Sequence, residues 1–415
     1  MFKKEHLENG IPVVMEPIRS VRSVAVGVWV KVGSRFETRE ENGISHFLEH
    51  MFFKGTKRRT TKDIAVDIDS VGGDLNAFTS RENTAFYIKV LDEHIEKGID
   101  LLSDIFVNSV FPEDEIEKEK KIIKEEIKMV EDTPDDYIHD LFSVTVWGQE
   151  GIGQPILGRR ETVASFTRDH VTAHIRKYYG TKDIVIACAG NFQPEVMIGI
   201  LNKRFGGLRQ GSTPKMGVAP GFQRNVKVYA KEMSEAHICI GVPGVSQVSE
   251  ERYAFFVLNT ILGAGVSSRL FQEIREKRGL AYSVYSFTSS YLDTGVWGVY
   301  AGVSKKRIKE VAELIISEMR DLSSTLTEIE LERAKNHLKG NLILGLESTN
   351  GRMNNLARQE IYFGRYISPE EILKSVDMVN LKQIRELSAR LIKRDMFAVT
   401  ALGPLQKDVL DGIVG

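Results

Sequence analysis

Cysteine, long apolar runs and a charge excess are all scarce in this chain of 415 residues. Its two cysteines, Cys188 and Cys239, lie inside apolar segments, so the sequence predicts neither a disulfide framework nor a cysteine-based metal site. So few cysteines fit a reducing compartment. The longest apolar stretch, Val24 to Val32, contains Gly27 and Lys31 and is far too short to cross a bilayer. A membrane-spanning protein is therefore not expected.

The chain also lacks a marked charge imbalance and an apolar leader. Its formal net charge is −1 and its pI is near 6.8, which gives no reason to expect a nucleic-acid partner. The stretch from Met1 to His6 is mostly polar, and the apolar block of a secretory signal does not follow it. We therefore expect a cytoplasmic protein with no nucleic-acid and no membrane partner.

The length of the chain predicts two domains, because 415 residues exceed what one hydrophobic core usually holds. The stretch from Gly206 to Arg224 has five glycines, two prolines and little periodicity, which is typical of a linker. We expect an N-terminal domain at residues 1–207, a linker at 208–222 that could act as a hinge, and a C-terminal domain at 223–415.

The two halves show the same predicted order of elements: strand, strand, helix, helix, strand, strand, helix. This order predicts an α+β protein with two similar α/β-roll domains, each a mixed or antiparallel sheet with helices, related by internal duplication. The predicted elements of the first half are Val13–Glu16, Ser23–Val32, Glu41–Phe53, Thr61–Val71, Leu75–Thr79, Asn83–Val90 and Glu93–Phe106. Those of the second half are Val226–Ala230, His237–Val242, Glu250–Leu262, Ser268–Lys277, Tyr282–Ser289, Gly295–Gly302 and Lys305–Leu322.

The run His46-Phe47-Leu48-Glu49-His50 carries the clearest chemical signal. On a helix, residues three and four apart share a face, so His46 and His50 stack one turn apart with Glu49 beside them. Two imidazoles in this arrangement can bind one Zn²⁺, which lowers the pKa of a bound water. Glu49 is then placed to be the general base that activates this water, and not a ligand. The alternative is a helix with two solvated histidines.

A third zinc ligand must come from elsewhere in the chain. The predicted helix Glu113–Glu131 is rich in acids, and spacing alone does not select one of them. Glu119 and Glu126 are seven residues apart and share a face, so one could bind zinc while the other orients a ligand histidine. The alternative for most of these acids is a solvated face paired with lysines. The acids considered are Glu113, Glu115, Glu117, Glu119, Glu125, Glu126 and Glu131.

The order of the His-x-x-Glu-His motif is that of the inverzincins. With the segments around it, the chain resembles the pitrilysin/insulinase-type metallopeptidases, and in particular the short bacterial members that are similar to the β-subunit of the mitochondrial processing peptidase. The likeness extends over essentially the whole chain. The segments that carry it are Gly43–Thr56, Gly72–Ser80, Glu119–Ile127 and Ser268–Ser283.

The resemblance assigns further residues. It implies that Glu126, which lies 76 residues after His50, is the third zinc ligand and that Glu119 is its partner behind a ligand histidine. It also implies that Arg275 and Tyr282 bind the substrate and polarise its carbonyl group, where a cation and a phenol would stabilise the developing oxyanion.

The same resemblance implies that substrate binds as an added strand along Leu75–Thr79, which needs only backbone hydrogen bonds and tolerates many sequences. Asn76, Ala77 and Thr79 are the substrate-binding residues expected there. The implied protein is a zinc-dependent endopeptidase with one Zn²⁺ per chain, acting on peptides or unfolded protein segments inside a clamshell chamber between the domains. A homodimer is expected by resemblance, and a requirement for a heteromeric partner stays open.

Two rival functions were weighed. A non-catalytic partner or scaffold subunit would bind peptides without cutting them, but such relatives lose parts of the metal motif, which this chain keeps together with Arg275 and Tyr282. A zinc-stabilised structural protein would need a fourth protein ligand, and none is evident. Two minor expectations are a solvated loop for the basic cluster Lys54, Lys57, Arg58 and Arg59, and a surface pair for His170 and His174.

Overall fold

The computed structural model describes residues 2–211, 217–393 and 396–413. The chain divides into two compact units. Each unit is built from three separate stretches of sequence. The first unit comprises Met1–Lys128, Glu150–Gly217 and Gly345–Tyr366, and the second comprises Met129–Gln149, Val218–Leu344 and Ile367–Gly415.

The strands and helices follow one another with short connections. In the first 205 residues they are β1 (Lys3–His6), β2 (Pro12–Pro17), β3 (Ser23–Val30), α1 (Ile44–Met51), α2 (Thr61–Asp69), β4 (Asp74–Thr79), β5 (Thr84–Leu91), α3 (Ile95–Asn108), α4 (Glu113–Asp132), α5 (Pro134–Trp147), α6 (Arg160–Ser165), α7 (Arg168–Tyr178), β6 (Ile184–Gly190) and α8 (Pro194–Phe205). The later ones are β7 (Val226–Ala230), β8 (Ala236–Pro243), α9 (Arg252–Gly263), a π-helical turn (Phe271–Glu276), β9 (Ala281–Ser290), β10 (Gly295–Val303), α10 (Ile308–Thr325), α11 (Glu328–Gly345), α12 (Thr349–Phe363), α13 (Pro369–Asp377), α14 (Leu381–Leu391) and β11 (Ala398–Gly403).

The first unit is organised around a six-stranded sheet with the order β1, β2, β6, β3, β5, β4. Strands β2 and β6 pair in parallel and the other neighbours pair antiparallel. In β3, Val24, Val26 and Val28 belong to the main core of the unit. Ala25 and Trp29 point to the other face, where they pack with residues of α12. Both faces are covered, which explains why β3 is a continuous apolar run without alternation.

The second unit contains a five-stranded sheet with the order β7, β11, β8, β10, β9. Strands β7 and β11 are parallel and the remaining pairs are antiparallel. This is the pattern of the first sheet without its edge strand β1, with β9 in the place of β4. The predicted α+β class and the repeated element order are therefore confirmed by the strand topology, and the clamshell arrangement stays a prediction.

Two helices belong to the unit opposite to the one their position in the sequence suggests. Helix α5, from the first half of the chain, packs on β8 and β11 of the second sheet. Helix α12, from the second half, packs on β2, β3 and β6 of the first sheet. The predicted division at 1–207 and 223–415 follows the chain and does not include this exchange. An amphipathic pattern shows that a helix has an apolar face, but it does not show which sheet receives that face.

Several smaller features differ from the sequence-based expectations. The sequence yielded no elements beyond Leu322, yet β11 is inserted between β7 and β8. The predicted helix Ser268–Lys277 is a π-helical turn over Phe271–Glu276. Residues 212–216 of the predicted linker lie outside the described residues. Among the described helices, none is both long and apolar enough to span a membrane.

Candidate metal centre

The site begins with the way α1 is started. Gly43 precedes the helix with φ of 97°, and a Cβ atom there would lie 2.7 Å from the Cα of Gly158, so this position requires glycine. The fully buried Glu37 accepts hydrogen bonds from the backbone amides of Gly43 (2.7 Å) and Ser45 (2.8 Å). Burial raises the pKa of this carboxyl, and these hydrogen bonds offset part of the rise. Glu37 thus supplies the helix cap that no residue adjacent to α1 provides.

The two motif histidines of α1 lie beside Glu126 of α4. The imidazole rings of His46 and His50 are 4.7 Å apart between centroids. The Oε2 atom of Glu126 lies 3.7 Å from Nε2 of His46 and 3.6 Å from Nε2 of His50. These separations are too long for hydrogen bonds, so the three atoms converge without bonding one another.

The spacing and the donor types fit a zinc ion. One ligand atom from each of His46, His50 and Glu126 lies within 4.8 Å of the others. Two ligands about 2.1 Å from a tetrahedral ion are separated by roughly 3.4 Å, close to the distances seen here. Burial lowers the pKa of His46 to about 3, with a contribution from His50, so His46 is neutral near pH 7, as a metal ligand must be.

Behind His50 lies a second carboxylate. Glu119 of α4 is almost completely buried, and its Oε2 atom is 3.0 Å from Nδ1 of His50. Its Oε1 atom is 2.7 Å from the Nζ atom of Lys54. Burial acts to raise the pKa of Glu119, but the hydrogen bonds of His50 and Lys54 and their charges lower it below its usual value. Nδ1 of His50 is therefore engaged by Glu119, which leaves Nε2 facing Glu126.

Glu49 lies on the same helix but does not converge with the three ligand atoms. Its Oε2 atom is buried and has no hydrogen-bond partner among the described residues. Burial raises the pKa of Glu49, and the hydroxyl and amide groups of Thr79 together with His50 offset part of this rise. A carboxylate whose pKa is raised is better suited to accept a proton near neutral pH.

The strand expected to bind substrate is an edge strand. β4 pairs with β5 on one side only, so its other side is the end of the sheet. Asn76 is exposed and Ala77 is half-buried, while Thr79 lies at the end of β4 that reaches Glu49. An edge strand next to the motif helix is the geometry that strand addition requires. Thr79 contacts Glu49 directly, which the sequence did not indicate.

Arg275 and Tyr282 lie close to each other within the second unit. The guanidinium carbon of Arg275 is 5.4 Å from the centroid of the Tyr282 ring and 4.9 Å from that of Phe271. On β9, Ala281 pairs with Val303 and Ser283 pairs with Gly302, which leaves Tyr282 at a β-bulge. The bulge explains why its side chain is 81% exposed. Their action on a bound substrate stays a prediction.

The basic cluster after α1 is not a solvated loop, and this expectation is wrong. Arg58 and Arg59 both bond the carboxylate of Asp104, at 2.9 Å and 2.7 Å, and that side chain has no exposed surface. The hydroxyl of Thr56 donates to the same carboxylate at 2.7 Å. Burial alone would raise the pKa of Asp104, but these bonds lower it to about 2. Sequence spacing gave no signal for partners that lie more than forty residues away.

The interpretation of His170 and His174 as a surface pair is half wrong. His170 is exposed and caps its own helix through Thr167, as expected for a surface residue. His174 is buried, and burial lowers its pKa to about 3. A histidine with this environment is neutral and packs as an aromatic residue, here against Tyr178 with ring centroids 4.7 Å apart.

With this geometry established, two family models match the chain. Residues 12–160 match the model described as insulinase (peptidase family M16), and residues 165–338 match the one described as peptidase M16 inactive domain. The chain belongs to peptidase family M16. It is a zinc-dependent metallopeptidase, and the predicted resemblance to a short bacterial insulinase-type member is confirmed.

Curated relatives of this M16 peptidase are similar over nearly their whole length. The chain is 42% identical to the uncharacterized zinc protease YmxG of Bacillus subtilis, over 97% of this chain and 98% of that protein. It is 38% identical to the uncharacterized zinc protease SCO5738 of Streptomyces coelicolor, over 97% and 90% of the two chains.

Solved structures of lower identity share the fold of this M16 peptidase. A protease from Helicobacter pylori superposes with a TM-score of 0.91 at 21% identity, covering 97% of this chain and 99% of that one. A peptidase M16 inactive domain structure from Pseudomonas fluorescens also gives 0.91, at 18% identity and 98% coverage of both chains. At these identities the likeness concerns the fold alone.

Proposed function

We propose that this M16 peptidase is an endopeptidase that cleaves peptides or unfolded protein segments with one Zn²⁺ per chain, held by His46, His50 and Glu126. The observation that carries the proposal is the convergence of three ligand atoms from two helices, at separations too long for hydrogen bonds and suited to an ion between them. Two imidazoles and one carboxylate form a donor set that leaves a fourth position for water, as catalytic zinc sites do.

Glu49 is the proposed general base. A Zn²⁺ ion in the site would polarise the scissile carbonyl and lower the pKa of a water molecule at its open position. Glu49 lies one residue before His50 on α1, and its buried Oε2 has no other partner among the described residues. This oxygen is therefore available to take a proton from the attacking water and to pass it to the leaving amine.

Substrate is proposed to bind along β4. This edge strand ends at Thr79, which contacts Glu49, so a peptide added to β4 would bring its backbone to the base. Recognition through backbone hydrogen bonds explains an activity on unfolded segments of varied sequence. Asn76 and Ala77 are the proposed neighbours of the added strand, with Asn76 facing solvent.

The proposal is tested by the purified chain alone. We expect it to cleave an internally quenched peptide with an unstructured sequence, to lose this activity on treatment with a zinc chelator, and to regain it when one equivalent of Zn²⁺ is returned. A chain that binds zinc and cleaves no unfolded peptide would contradict the proposal and favour a non-catalytic role. Mass analysis of the products separates endopeptidase cleavage from trimming at the ends.

Tyr282 is proposed to assist the same reaction, with Arg275 beside it. If the phenol donates a hydrogen bond to the developing oxyanion, Tyr282→Phe removes one donor and should lower kcat about 10²-fold with a smaller change in KM. Tyr229→Phe on β7, the opposite edge of the same sheet, is the matched control and should keep wild-type activity. Equal kcat values for Tyr282→Phe and the wild type would exclude this role for the hydroxyl group.

A further inference from the structure

We propose that Lys54 is a positioning residue of the metal centre, which acts on His50 through Glu119. The proposal deepens the zinc site proposed above and rests on it. A chain of three contacts carries it: Nζ of Lys54 to Oε1 of Glu119 at 2.7 Å, Oε2 of Glu119 to Nδ1 of His50 at 3.0 Å, and Nε2 of His50 toward Glu126 at 3.6 Å.

Each oxygen of the Glu119 carboxylate has one of these partners. The Glu119 side chain is only 2% exposed, so solvent contributes little to holding its charge or its orientation. Lys54 therefore supplies both the counter-charge and the hydrogen bond that fix the Oε1 side of the group. With Oε1 fixed, Oε2 is directed at the imidazole, and the ring of His50 is held with Nε2 toward the metal position.

The position of Lys54 is set by local backbone structure. It follows the end of α1, where its amide donates to the carbonyl of Met51 at 3.2 Å in the turn that ends the helix. The next residues are tied to α3, because Thr56 and Arg59 both bond the buried carboxylate of Asp104. Lys54 thus lies between the motif helix and a charge cluster that is itself held in place. A surface lysine on a free loop would not be fixed in this way.

The alternative is that Lys54 only offsets a buried charge and has no effect on the metal. Lys57 offers a matched comparison, since it lies three residues further along the same loop and its side chain is exposed. A general effect of basic residues on this loop would appear in both variants. An effect through Glu119 should appear in Lys54 alone.

The test is the dissociation constant of Zn²⁺, measured by competition with a chromophoric chelator and not by activity. Partners behind a metal ligand typically change metal affinity by about 10–100-fold, so we expect Lys54→Met to weaken zinc binding by about 10-fold. Lys54→Arg keeps the charge and should remain close to the wild type. Lys57→Met should be unchanged. Lys54→Gln, which also removes the charge, replaces Lys54→Met if the latter does not fold.

A double-mutant cycle shows whether Lys54 acts through Glu119. We expect Glu119→Gln to weaken zinc binding and the added Lys54→Met to weaken it no further. Additive losses, or wild-type affinity in Lys54→Met, would overturn the role of Lys54 while leaving the zinc site intact. A wild-type chain that binds no zinc would instead overturn the proposed site and this role with it.

Discussion

The variant Glu49→Gln is expected to cleave peptides about 10²–10⁴-fold more slowly than the wild type while it binds the same amount of zinc. Glutamine keeps the size of the side chain but accepts no proton at neutral pH. Oε2 of Glu49 is not among the converging ligand atoms, so the metal position should not change. The measurement is kcat on a quenched peptide together with the zinc content of the same sample.

Two comparisons make the result of Glu49→Gln specific. Glu40→Gln, at an exposed position shortly before α1, should keep wild-type activity. If Glu49→Gln loses zinc as well as activity, Glu49 is a ligand and not the base. If it retains full activity, another group must take the proton, and the proposed mechanism fails.

The variant Glu126→Gln is expected to lose zinc more severely than any variant of the residues behind the ligands. It removes a charged ligand, so the loss of affinity should exceed the ~100-fold upper range of outer partners. Peptide cleavage should fall in parallel, and excess Zn²⁺ should restore part of it. Zinc affinity by chelator competition and cleavage at several zinc concentrations are the measurements.

Glu125 is the matched control for Glu126, because it is the adjacent residue on α4 and is exposed. Glu125→Gln should bind zinc as the wild type does, and Glu119→Gln should fall between the two. A Glu126→Gln variant with wild-type zinc affinity would show that the third ligand is another acid. It would also remove the geometric basis of the proposed function.

The buried charges near the motif helix share one purpose. Glu37 holds the start of α1, Glu119 holds a ring of its last turn, and Asp104 holds the loop that follows. Each is a buried carboxylate whose oxygens are bonded by amides, a histidine, lysine or arginines. Buried carboxylates are costly unless they are paired in this way, so the network restricts the helix to one position. A preorganised position is what a metal centre requires.

Elements with strong local signals could be predicted from the sequence. Helix α8 and strand β7 lie at their predicted bounds, because a proline starts the first and β-branched residues fill the second. Elements of the C-terminal region were not predicted. One of them, β11, pairs with β7 and β8, which precede it by more than 150 residues. Local patterns contain no information about such distant pairing.

The sequence by itself determined that His46, Glu49 and His50 share one side of a helix, because 3.6 residues per turn fix that relation locally. It also determined the α+β class through the repeated order of elements. Only the tertiary structure decided which acid of α4 meets the histidines, that Lys54 bonds Glu119, and that a bulge exposes Tyr282. These relations depend on packing between segments far apart in the chain, and that packing is decided by the whole core rather than by any one stretch of residues.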